Sequence, residues 1–476
     1  MPQLEAFAPA CLRNVSHIRF VGSRGKKSTA VPDLSQLRLC FAACHAIAAC
    51  MDKLRITGGT ELHGSLAISG AKNSALKLMA ASLLTAHPVT LTNMPNLADT
   101  RFLSQLLSVL GVEVYWPTGT NECRLNAETL SSTIAPYDQV RKMRASFNVL
   151  GPMLARYGHA TVSLPGGCAI GARPVDLHLK ALSAMGADLL VEGGYVKAAA
   201  IHGLKGARIV FPFVSVGATE HAMLAATLAK GTTTLENAAQ EPEIADLAAC
   251  LNKMGADVSG AGTSTITING VDSLSGAQHA VMPDRIEAGT FAMAAAAAGG
   301  DVTLQGVPVA SLLALNDALS EAGVDVDADM AASTLRIRRG KTALRAVNIN
   351  TQPYPGFPTD LQAQFMALMA LAEGTSIIRE TIFENRFMHA PELSRLGADI
   401  AVRGQEAVIN GVSQLYGAEV MATDLRASVS LVIAGLAASG VTDVNRIYHL
   451  DRGFERLEEK LTACGANIVR LDGAEG

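Results

Sequence analysis

The chain lacks the residues that mark nucleic-acid binding. Aromatic residues make up only 4% of its 476 residues, and there is a single tryptophan, Trp116. Platforms on which bases could stack are therefore not expected. Lysine and arginine number 39 against 43 aspartates and glutamates, so the formal net charge is −4 and no overall positive charge attracts a nucleic acid. Any binding of anions must be local.

Long apolar runs and a regular cysteine pattern are also missing. The best candidate for a membrane span, residues 291–298, is too short and predicts a buried helix. Of the eight cysteines, only Cys123, Cys168, Cys250 and Cys464 lie after residue 51. Thiols scattered in this way indicate a reducing compartment rather than a disulfide framework, and none has metal-ligand spacing.

Residues 1–50 differ from the rest of the chain. They hold the other four cysteines and a basic patch at residues 24–27, and no helical or strand period persists in them. A zinc site at residues 40–50 would lack a second ligand pair at a suitable distance. An export signal would lie unusually far from the N-terminus. We interpret the segment as a disordered leader, or as one translated from a start codon upstream of the true one.

From residue 51 onward the chain repeats itself. Six times, a helical pattern ends in a Gly-Ala or Gly-Val pair and a strand pattern follows. The glycines of these pairs are Gly111, Gly186, Gly255, Gly323, Gly397 and Gly465. The last three follow the first three by 212, 211 and 210 residues. The sequence therefore predicts two homologous halves, each of three similar α/β units, with a ligand cleft between them.

A reactive-looking loop lies in the second unit. A strand pattern ends at Leu164, a helix pattern begins near Pro174, and three glycines, Cys168 and Arg173 lie between them. Unpaired N–H groups and the helix dipole favour anions at a helix start and make a thiol there easier to ionise. Taken alone, the loop is equally compatible with an ordinary glycine-rich turn. Its counterpart in the second half is residues 380–389.

Cationic side chains stand in otherwise apolar surroundings near other strand-to-helix loops. They are Lys72, Arg144, Arg386, Arg426 and Arg452, and Arg173 in the Cys168 loop completes the set. Because guanidinium groups bind carboxylate and phosphate bidentately, this set predicts an anionic substrate. Asp360 would be a general base and Cys168 an acid or nucleophile. Each arginine alone also fits a surface ion pair, and Asp360 a helix cap. The residues alone therefore define only a duplicated α/β transferase or ligase of anionic substrates.

Eight motifs, in order from residue 51 to the C-terminus, resemble those of the UDP-N-acetylglucosamine 1-carboxyvinyltransferase family. They are Ser69-Gly70-Ala71-Lys72-Asn73, Met143-Arg144-Ala145-Ser146, the run from Leu164 to Leu177, Asp284-Arg285-Ile286-Glu287, Phe357-Pro358-Thr359-Asp360, the run from Phe383 to His389, Ala422-Thr423-Asp424-Leu425-Arg426 and Asp451-Arg452-Gly453. The resemblance implies the enolpyruvyl transferase fold, with two inside-out α/β barrel-like domains of three βαβαββ units each. It places one domain at 72–283, the other at 51–71 plus 284–476, and the active site in the cleft between them.

The resemblance implies a reaction as well as a fold. The enolpyruvyl group of phosphoenolpyruvate would pass to the 3′-hydroxyl of UDP-N-acetylglucosamine with release of phosphate, the first committed step of peptidoglycan synthesis. No metal and no organic cofactor is implied. We expect a cytoplasmic monomer that acts on these two small molecules, without a nucleic acid or membrane partner.

Site residues follow from the matched positions. Cys168 would donate a proton and form a covalent adduct with phosphoenolpyruvate, Asp360 would be the base, and Lys72 would take part in catalysis. The positions that would hold phosphoenolpyruvate are Lys72, Asn73, Arg173 and Arg452. Those that would contact the UDP-sugar are Arg144, Arg173, Pro174, Val175, Asp176, Leu177, Phe213, Val214, Ser215, Val216, Asp360 and Ile382. Residues with supporting roles in the cleft would be Arg386, Asp424 and Arg426.

The chain departs from some relatives at two positions, and two other functions are alternatives. Some relatives carry lysine where this chain has Ala98 and Phe213, so we expect a changed affinity for substrate. Enzymes of the sister reaction, on shikimate 3-phosphate, share the fold, but Cys168 and the sequence of residues 70–73 argue against that reaction. A non-catalytic scaffold is the other alternative. The intact set of predicted catalytic and phosphoenolpyruvate-binding residues argues against that one.

Overall fold

The structure, a computed structural model, describes residues 52–166, 175–340 and 342–472. The predictions for residues 1–50, Cys168, Arg173 and Pro174 lie outside the described residues. The strands up to residue 280 are β1 (Lys53–Thr57), β2 (Leu62–Ala67), β3 (Val89–Thr92), β4 (Glu113–Tyr115), β5 (Cys123–Asn126), β6 (Ile134–Ala135), β7 (His159–Ser163), β8 (Asp188–Glu192), β9 (Tyr195–Ala199), β10 (Arg208–Val210), β11 (Thr232–Glu236), β12 (Asp257–Ser259), β13 (Thr265–Asn269) and β14 (Ala277–Ala280). The later strands are β15 (Gly300–Gln305), β16 (Asp325–Asp329), β17 (Thr334–Arg339), β18 (Leu344–Arg345), β19 (Ile349–Asn350), β20 (Ala372–Glu373), β21 (Thr375–Arg379), β22 (Asp399–Arg403), β23 (Glu406–Asn410), β24 (Glu419–Met421), β25 (Val441–Asn445) and β26 (Asn467–Leu471).

Helices alternate with these strands. The α-helices are α1 (Lys72–Ala81), α2 (Ala98–Leu110), α3 (Tyr137–Val140), α4 (Leu150–Tyr157), α5 (Asp176–Ala184), α6 (Val216–Ala226), α7 (Pro242–Lys253), α8 (Arg285–Ala298), α9 (Leu313–Glu321), α10 (Gln362–Met369), α11 (Ala390–Arg395), α12 (Ala427–Ala437) and α13 (Leu457–Ala463). Short 3₁₀ segments cover Ser82–Leu84, Arg144–Val149, Val309–Ser311, Thr359–Leu361 and Ile447–Arg452. No helix among the described residues is long and apolar enough to cross a membrane.

Among the described residues, 24 of the 26 strands form six four-stranded sheets of one design, and β18 and β20 form a two-stranded sheet. The orders of the six are β14-β3-β5-β4, β6-β7-β9-β8, β10-β11-β13-β12, β2-β15-β17-β16, β19-β21-β23-β22 and β24-β25-β1-β26. In each, the first two strands are parallel and the remaining neighbours antiparallel. A parallel pair needs a helical crossover, whereas an antiparallel pair needs only a turn. The predicted βαβαββ unit thus occurs six times; three units run unbroken along the chain, and the other three each take one strand, β14, β2 or β1, from a distant part of it.

The glycines that revealed the repeat end the second helix of each unit. All six adopt positive φ, between 87° and 104°. This left-handed conformation closes a helix, and glycine reaches it without the steric cost of a side chain. The predicted glycine caps are therefore confirmed.

Two segments pass between the halves and are bonded to each other. The chain leaves β2 in a second-half sheet and enters α1, and it leaves β14 in a first-half sheet and enters α8. The Ala71 amide donates to the Met282 carbonyl at 2.7 Å, and the Asp284 amide donates to the Ser69 carbonyl at 2.9 Å. A Cβ on Gly70 would lie 1.9 Å from the Asn93 carbonyl oxygen, so only glycine fits. This junction fixes where α1 begins.

Buried helices form the centre of each half, and sheets lie outside them. One apolar cluster joins residues between Ala75 and Val281, and the other joins residues 54–68 with residues 286–468. In the second cluster α8, α10 and α12 pack together. Alanine dominates the second half of α8, which favours helix and lets neighbouring helices approach closely. The domain bounds stay a prediction, which the composition of the two clusters supports.

Candidate active site

Lys72 and Asn73 open helix α1 directly after the junction. The Lys72 amide donates to Asp284 Oδ2 at 3.1 Å, and its side chain, in a residue only 6% exposed, donates from Nζ to Asp99 Oδ2 at 3.3 Å. Burial lowers the pKa of Lys72 to about 8, although the neighbouring Asp99 favours the charged form. Lys72 is thus a buried cation at neutral pH, which suits it to bind an anion.

Asp360 lies in the 3₁₀ turn before α10 and is held by two guanidinium groups. Arg386 Nη2 donates to Oδ1 at 2.6 Å, and Arg426 Nε donates to Oδ2 at 3.2 Å. Burial alone would raise the pKa of Asp360, but Arg386, Arg426 and Lys72 outweigh it and hold that pKa well below its usual range. The carboxylate is therefore charged at neutral pH. It binds arginines rather than capping a helix.

Glu380 organises the loop that carries Ile382 and Arg386. Its fully buried Oε1 accepts from the amides of Ile382 at 2.8 Å and Phe383 at 3.0 Å. Its Oε2 accepts from Thr359 Oγ1 at 2.8 Å, and Arg386 Nη1 donates to the same hydroxyl oxygen at 2.8 Å. Sequence reasoning missed this role. A carboxylate immediately after a half-buried strand was the available signal.

Asp424 and Arg426 stand at the start of α12. Asp424 Oδ1 accepts from the amides of Arg426 at 2.8 Å and Ala427 at 3.0 Å, so it fixes the backbone there. Arg426 is 3% exposed, and its Nη1 and Nη2 have no hydrogen-bond partner within the described ranges. Buried donors are normally satisfied. These two donors are an exception, and they lie next to the carboxylate of Asp360.

Asp99 joins the two halves at this site. It lies in the first turn of α2, its side chain is 2% exposed, and its Oδ1 accepts from Arg452 Nε at 2.8 Å. Arg452 belongs to the last strand-to-helix loop, and its side chain keeps 30% of its surface exposed. Sequence reasoning did not single out Asp99. An aspartate in the first turn of a helix is common, so nothing in the sequence was a reason to select it.

A second group of predicted residues surrounds His178 in the first half. Arg144 opens a 3₁₀ turn, and residues 175–177 form the start of α5. Ser215 caps α6, where its hydroxyl oxygen accepts from the Ala218 amide at 3.4 Å. Burial, then His221 and Arg144, lower the pKa of His178 well below its ordinary value, so this ring is neutral. Phe213 is 60% exposed.

The structure therefore resolves the prediction into two groups. Lys72, Arg386, Arg426, Arg452 and Asp360 converge from both halves. Asn73 follows Lys72 in α1, Asp424 lies beside Arg426, and Ile382 lies in the loop that Glu380 holds. The other described positions lie in the first half, in the 3₁₀ turn at Arg144 and at the starts of α5 and α6; they are Arg144, Val175, Asp176, Leu177, Phe213, Val214, Ser215 and Val216. Among the described residues no group of three or more histidines, cysteines, aspartates or glutamates is placed to hold a metal ion.

Comparison with known proteins agrees with this fold. The sequence model of the family EPSP synthase (3-phosphoshikimate 1-carboxyvinyltransferase) matches residues 56–461. The crystal structure of the enolpyruvyl transferase NikO from Streptomyces tendae superimposes with a TM-score of 0.77 at 27% identity, covering 88% of this chain and 99% of that one. An EPSP synthase from Acinetobacter baumannii, at 20% identity and a TM-score of 0.69, shares the fold. These matches define the class, the enolpyruvyl transferases.

Sequence relatives narrow the class. The UDP-N-acetylglucosamine 1-carboxyvinyltransferase of Hyphomonas neptunium is 76% identical over 425 residues, which cover 89% of this chain and 100% of that protein. The protein of the same name from Maricaulis maris is 66% identical over 427 residues, again 89% of this chain and 100% of that protein. The chain belongs to the UDP-N-acetylglucosamine 1-carboxyvinyltransferase family.

Proposed function

We propose that this protein transfers the enolpyruvyl group of phosphoenolpyruvate to the 3′-hydroxyl of UDP-N-acetylglucosamine and releases phosphate. The observation that carries the proposal is the set of four cations, Lys72, Arg386, Arg426 and Arg452, gathered from both halves around two carboxylates. Phosphoenolpyruvate brings a phosphate and a carboxylate, and this excess of positive charge matches them. The names of the relatives supply the identity of the acceptor.

The reaction is an addition followed by an elimination. A proton adds to C3 of the enol, and the sugar hydroxyl forms a C–O bond at C2 while losing its own proton. The tetrahedral adduct then loses a C3 proton and its phosphate, which restores the vinyl group. The positive charge that develops at C2 and the charge on the leaving phosphate both need fixed opposite charges nearby. Lys72 and Arg452 act on the phosphate, and the unused donors of Arg426 add positive charge nearby.

Asp360 accepts the proton of the sugar hydroxyl in this scheme. Its two guanidinium partners make it a weak base, because they stabilise its charged form. The proton therefore moves only as the new C–O bond forms, when the hydroxyl becomes strongly acidic. Before that point the carboxylate orients the hydroxyl. The 25% of the Asp360 side chain that stays exposed provides the access.

The group around His178 holds the UDP-sugar. The starts of α5 and α6 lie next to each other there, since a Cβ added to Gly217 would lie 3.3 Å from the His178 ring. Backbone amides at these helix starts, together with Arg144, suit a diphosphate. Exposed Phe213 offers an apolar surface where a lysine would offer a charge. We expect the protein to act as a cytoplasmic monomer and to need neither metal nor organic cofactor.

The test is phosphate release from phosphoenolpyruvate by the purified full-length chain. UDP-N-acetylglucosamine is the acceptor in one reaction and shikimate 3-phosphate in the other. We expect release with the UDP-sugar alone. Release only with the shikimate ester would assign the sister reaction, and release with neither would overturn an enzymatic role.

Cys168 needs a separate test because it lies outside the described residues. By resemblance it is the proton donor and forms a covalent adduct with phosphoenolpyruvate. Mass spectrometry of the intact protein after incubation with phosphoenolpyruvate and UDP-sugar should find the adduct on wild type and not on C168S. An adduct on both proteins, or on neither, would contradict this role.

A further inference from the structure

Two cations of the proposed phosphoenolpyruvate site come from opposite halves of the molecule and meet at one carboxylate. Lys72 lies at the start of α1, and Arg452 lies 380 residues later in the last strand-to-helix loop. Asp99 accepts from Lys72 Nζ through Oδ2 at 3.3 Å and from Arg452 Nε through Oδ1 at 2.8 Å. Each carboxylate oxygen serves one cation. The distance between the two cations is thus set by the width of a single carboxylate.

We propose that Asp99 is a positioning residue that holds Lys72 and Arg452 at a fixed spacing for the phosphate of phosphoenolpyruvate. The inference rests on the proposed function. It assigns no contact between Asp99 and the substrate. Asp99 acts through the two cations that bind it, and it joins the first half to the second while doing so.

The surroundings of Asp99 fix the backbone that carries its carboxylate. Thr100 Oγ1 accepts from the Leu97 amide at 3.1 Å and donates to the Pro95 carbonyl at 2.9 Å, so the first turn of α2 is tied down. The Asn96 amide donates to Glu455 Oε1 at 3.2 Å, a second bond to the loop that carries Arg452. The loop before α2 also packs against Gly70 at the junction. A rigid carboxylate at this place can orient two flexible side chains.

Asp99 also governs the charge of Lys72. Among the groups that face Lys72, Asp99 and Asp360 favour its charged form, whereas Arg426 and Arg452 oppose it. Arginine does not titrate near neutral pH, and the carboxylate of Asp360 is already charged there. Loss of the Asp99 charge would therefore let Lys72 lose its proton at lower pH, and with it the affinity for an anionic substrate.

The experiment compares Asp99→Asn with wild type in the phosphate-release assay. We expect the KM for phosphoenolpyruvate to rise about tenfold or more, with a smaller change in kcat and in the KM for UDP-sugar. In wild type, kcat/KM for phosphoenolpyruvate should fall on the alkaline side near pH 8, because burial lowers the pKa of Lys72 to about 8. In Asp99→Asn this alkaline limb should move to lower pH by about one unit. Asp99→Glu keeps the charge and should leave the limb in place.

Asp443→Asn is the matched control. Asp443 also bridges an arginine and a lysine, since it accepts from Arg55 Nε at 2.8 Å and lies 3.3 Å from Lys53 Nζ, but it lies in an outer sheet. This variant should leave KM and the alkaline limb unchanged. An unchanged limb in Asp99→Asn, or a lower KM because Asp99 competes with substrate, would overturn the inference. An inactive wild type would instead overturn the proposed function. If Asp99→Asn does not fold, a limb that moves in Asp99→Glu would also count against the inference.

Discussion

Asp360 in the cleft is a partly buried carboxylate and Glu220 in the first half a fully buried one, and their pKa values move in opposite directions. Asp360 is bonded by Arg386 and Arg426 and stays charged. Glu220 is 1% exposed, and its one cationic partner among the described residues is Lys77, whose Nζ lies 2.6 Å from Oε2. Burial raises the pKa of Glu220 to about 7, because a single lysine does not compensate for the loss of water.

The difference lies in the number of cations for each carboxylate. Asp360 is bonded by Arg386 and Arg426, and Asp99 by Lys72 and Arg452, whereas Glu220 is bonded by Lys77 beside two neutral histidines. Surplus positive charge in a partly closed site costs stability unless an anion binds there. The positive charge of the cleft is thus compensated by the anionic substrate, whereas Lys77 and Glu220 compensate each other.

The largest expected effect is on activity, and it distinguishes Asp360 from Glu220. Asp360→Asn should lower kcat for phosphate release by about 10²- to 10⁴-fold, because the amide cannot accept the hydroxyl proton. Circular dichroism should find the fold intact. Glu220→Gln, which changes a carboxylate of the same kind outside the cleft, should lower kcat by less than about tenfold. Equal losses in the two variants would contradict the comparison.

Lys77→Met should have the largest effect on stability. It leaves Glu220 buried without its cation, which should lower the free energy of unfolding by about 3–5 kcal/mol at pH 8. The loss should be smaller at pH 5.5, where Glu220 takes up a proton. Urea-unfolding curves at both pH values measure it. The control is Lys197→Met, which breaks an exposed pair with Glu192 at 2.7 Å and should cost less than about 1 kcal/mol.

The raised pKa of Glu220 predicts a pH dependence of stability in the wild type. Its usual pKa is 4.5 and its folded value about 7, so the folded state binds the proton more tightly. Its contribution to stability is therefore complete below pH 4.5 and is lost as the pH rises through 7. Burial also raises the pKa of Glu287 to about 7, which adds a slope of the same sign. Between pH 5 and 8, the free energy of unfolding of Glu220→Gln should fall by about 2 kcal/mol less than that of wild type. An unchanged slope would contradict the raised pKa.

Sequence analysis predicted the units and most of the cations for a clear physical reason. Glycine caps and strand patterns are local, and they recur at nearly one offset in both halves. Lys72, Arg386, Arg426 and Arg452 stand out because a cation beside an apolar run needs an explanation. The fold and the cationic half of the site were therefore accessible from sequence.

The acidic half of the site was less accessible. An aspartate in the first turn of a helix is favoured by the helix dipole whatever its other role, so Asp99 carries no distinguishing signal. Its partner Arg452 lies 353 residues away, a contact that only the folded halves create. Glu220 lies in α6, where nine residues of the helix are buried. Because the helix has no distinct apolar face, the periodicity does not indicate which neighbour Glu220 contacts. Pairing of buried charges is set by tertiary structure.

The smallest expected effect tests whether Lys77 and Glu220 serve only each other. The double variant Lys77→Met with Glu220→Leu removes both charges and fills the space with apolar atoms. Since desolvation of the pair offsets most of its attraction, stability at pH 8 should return to within about 1 kcal/mol of wild type. Urea unfolding of the wild type, the two single variants and the double variant gives the coupling energy directly. A double variant as unstable as the sum of the single ones would mean that each charge has another partner. In that case the one-to-one pairing that distinguishes this region from the cleft would be wrong.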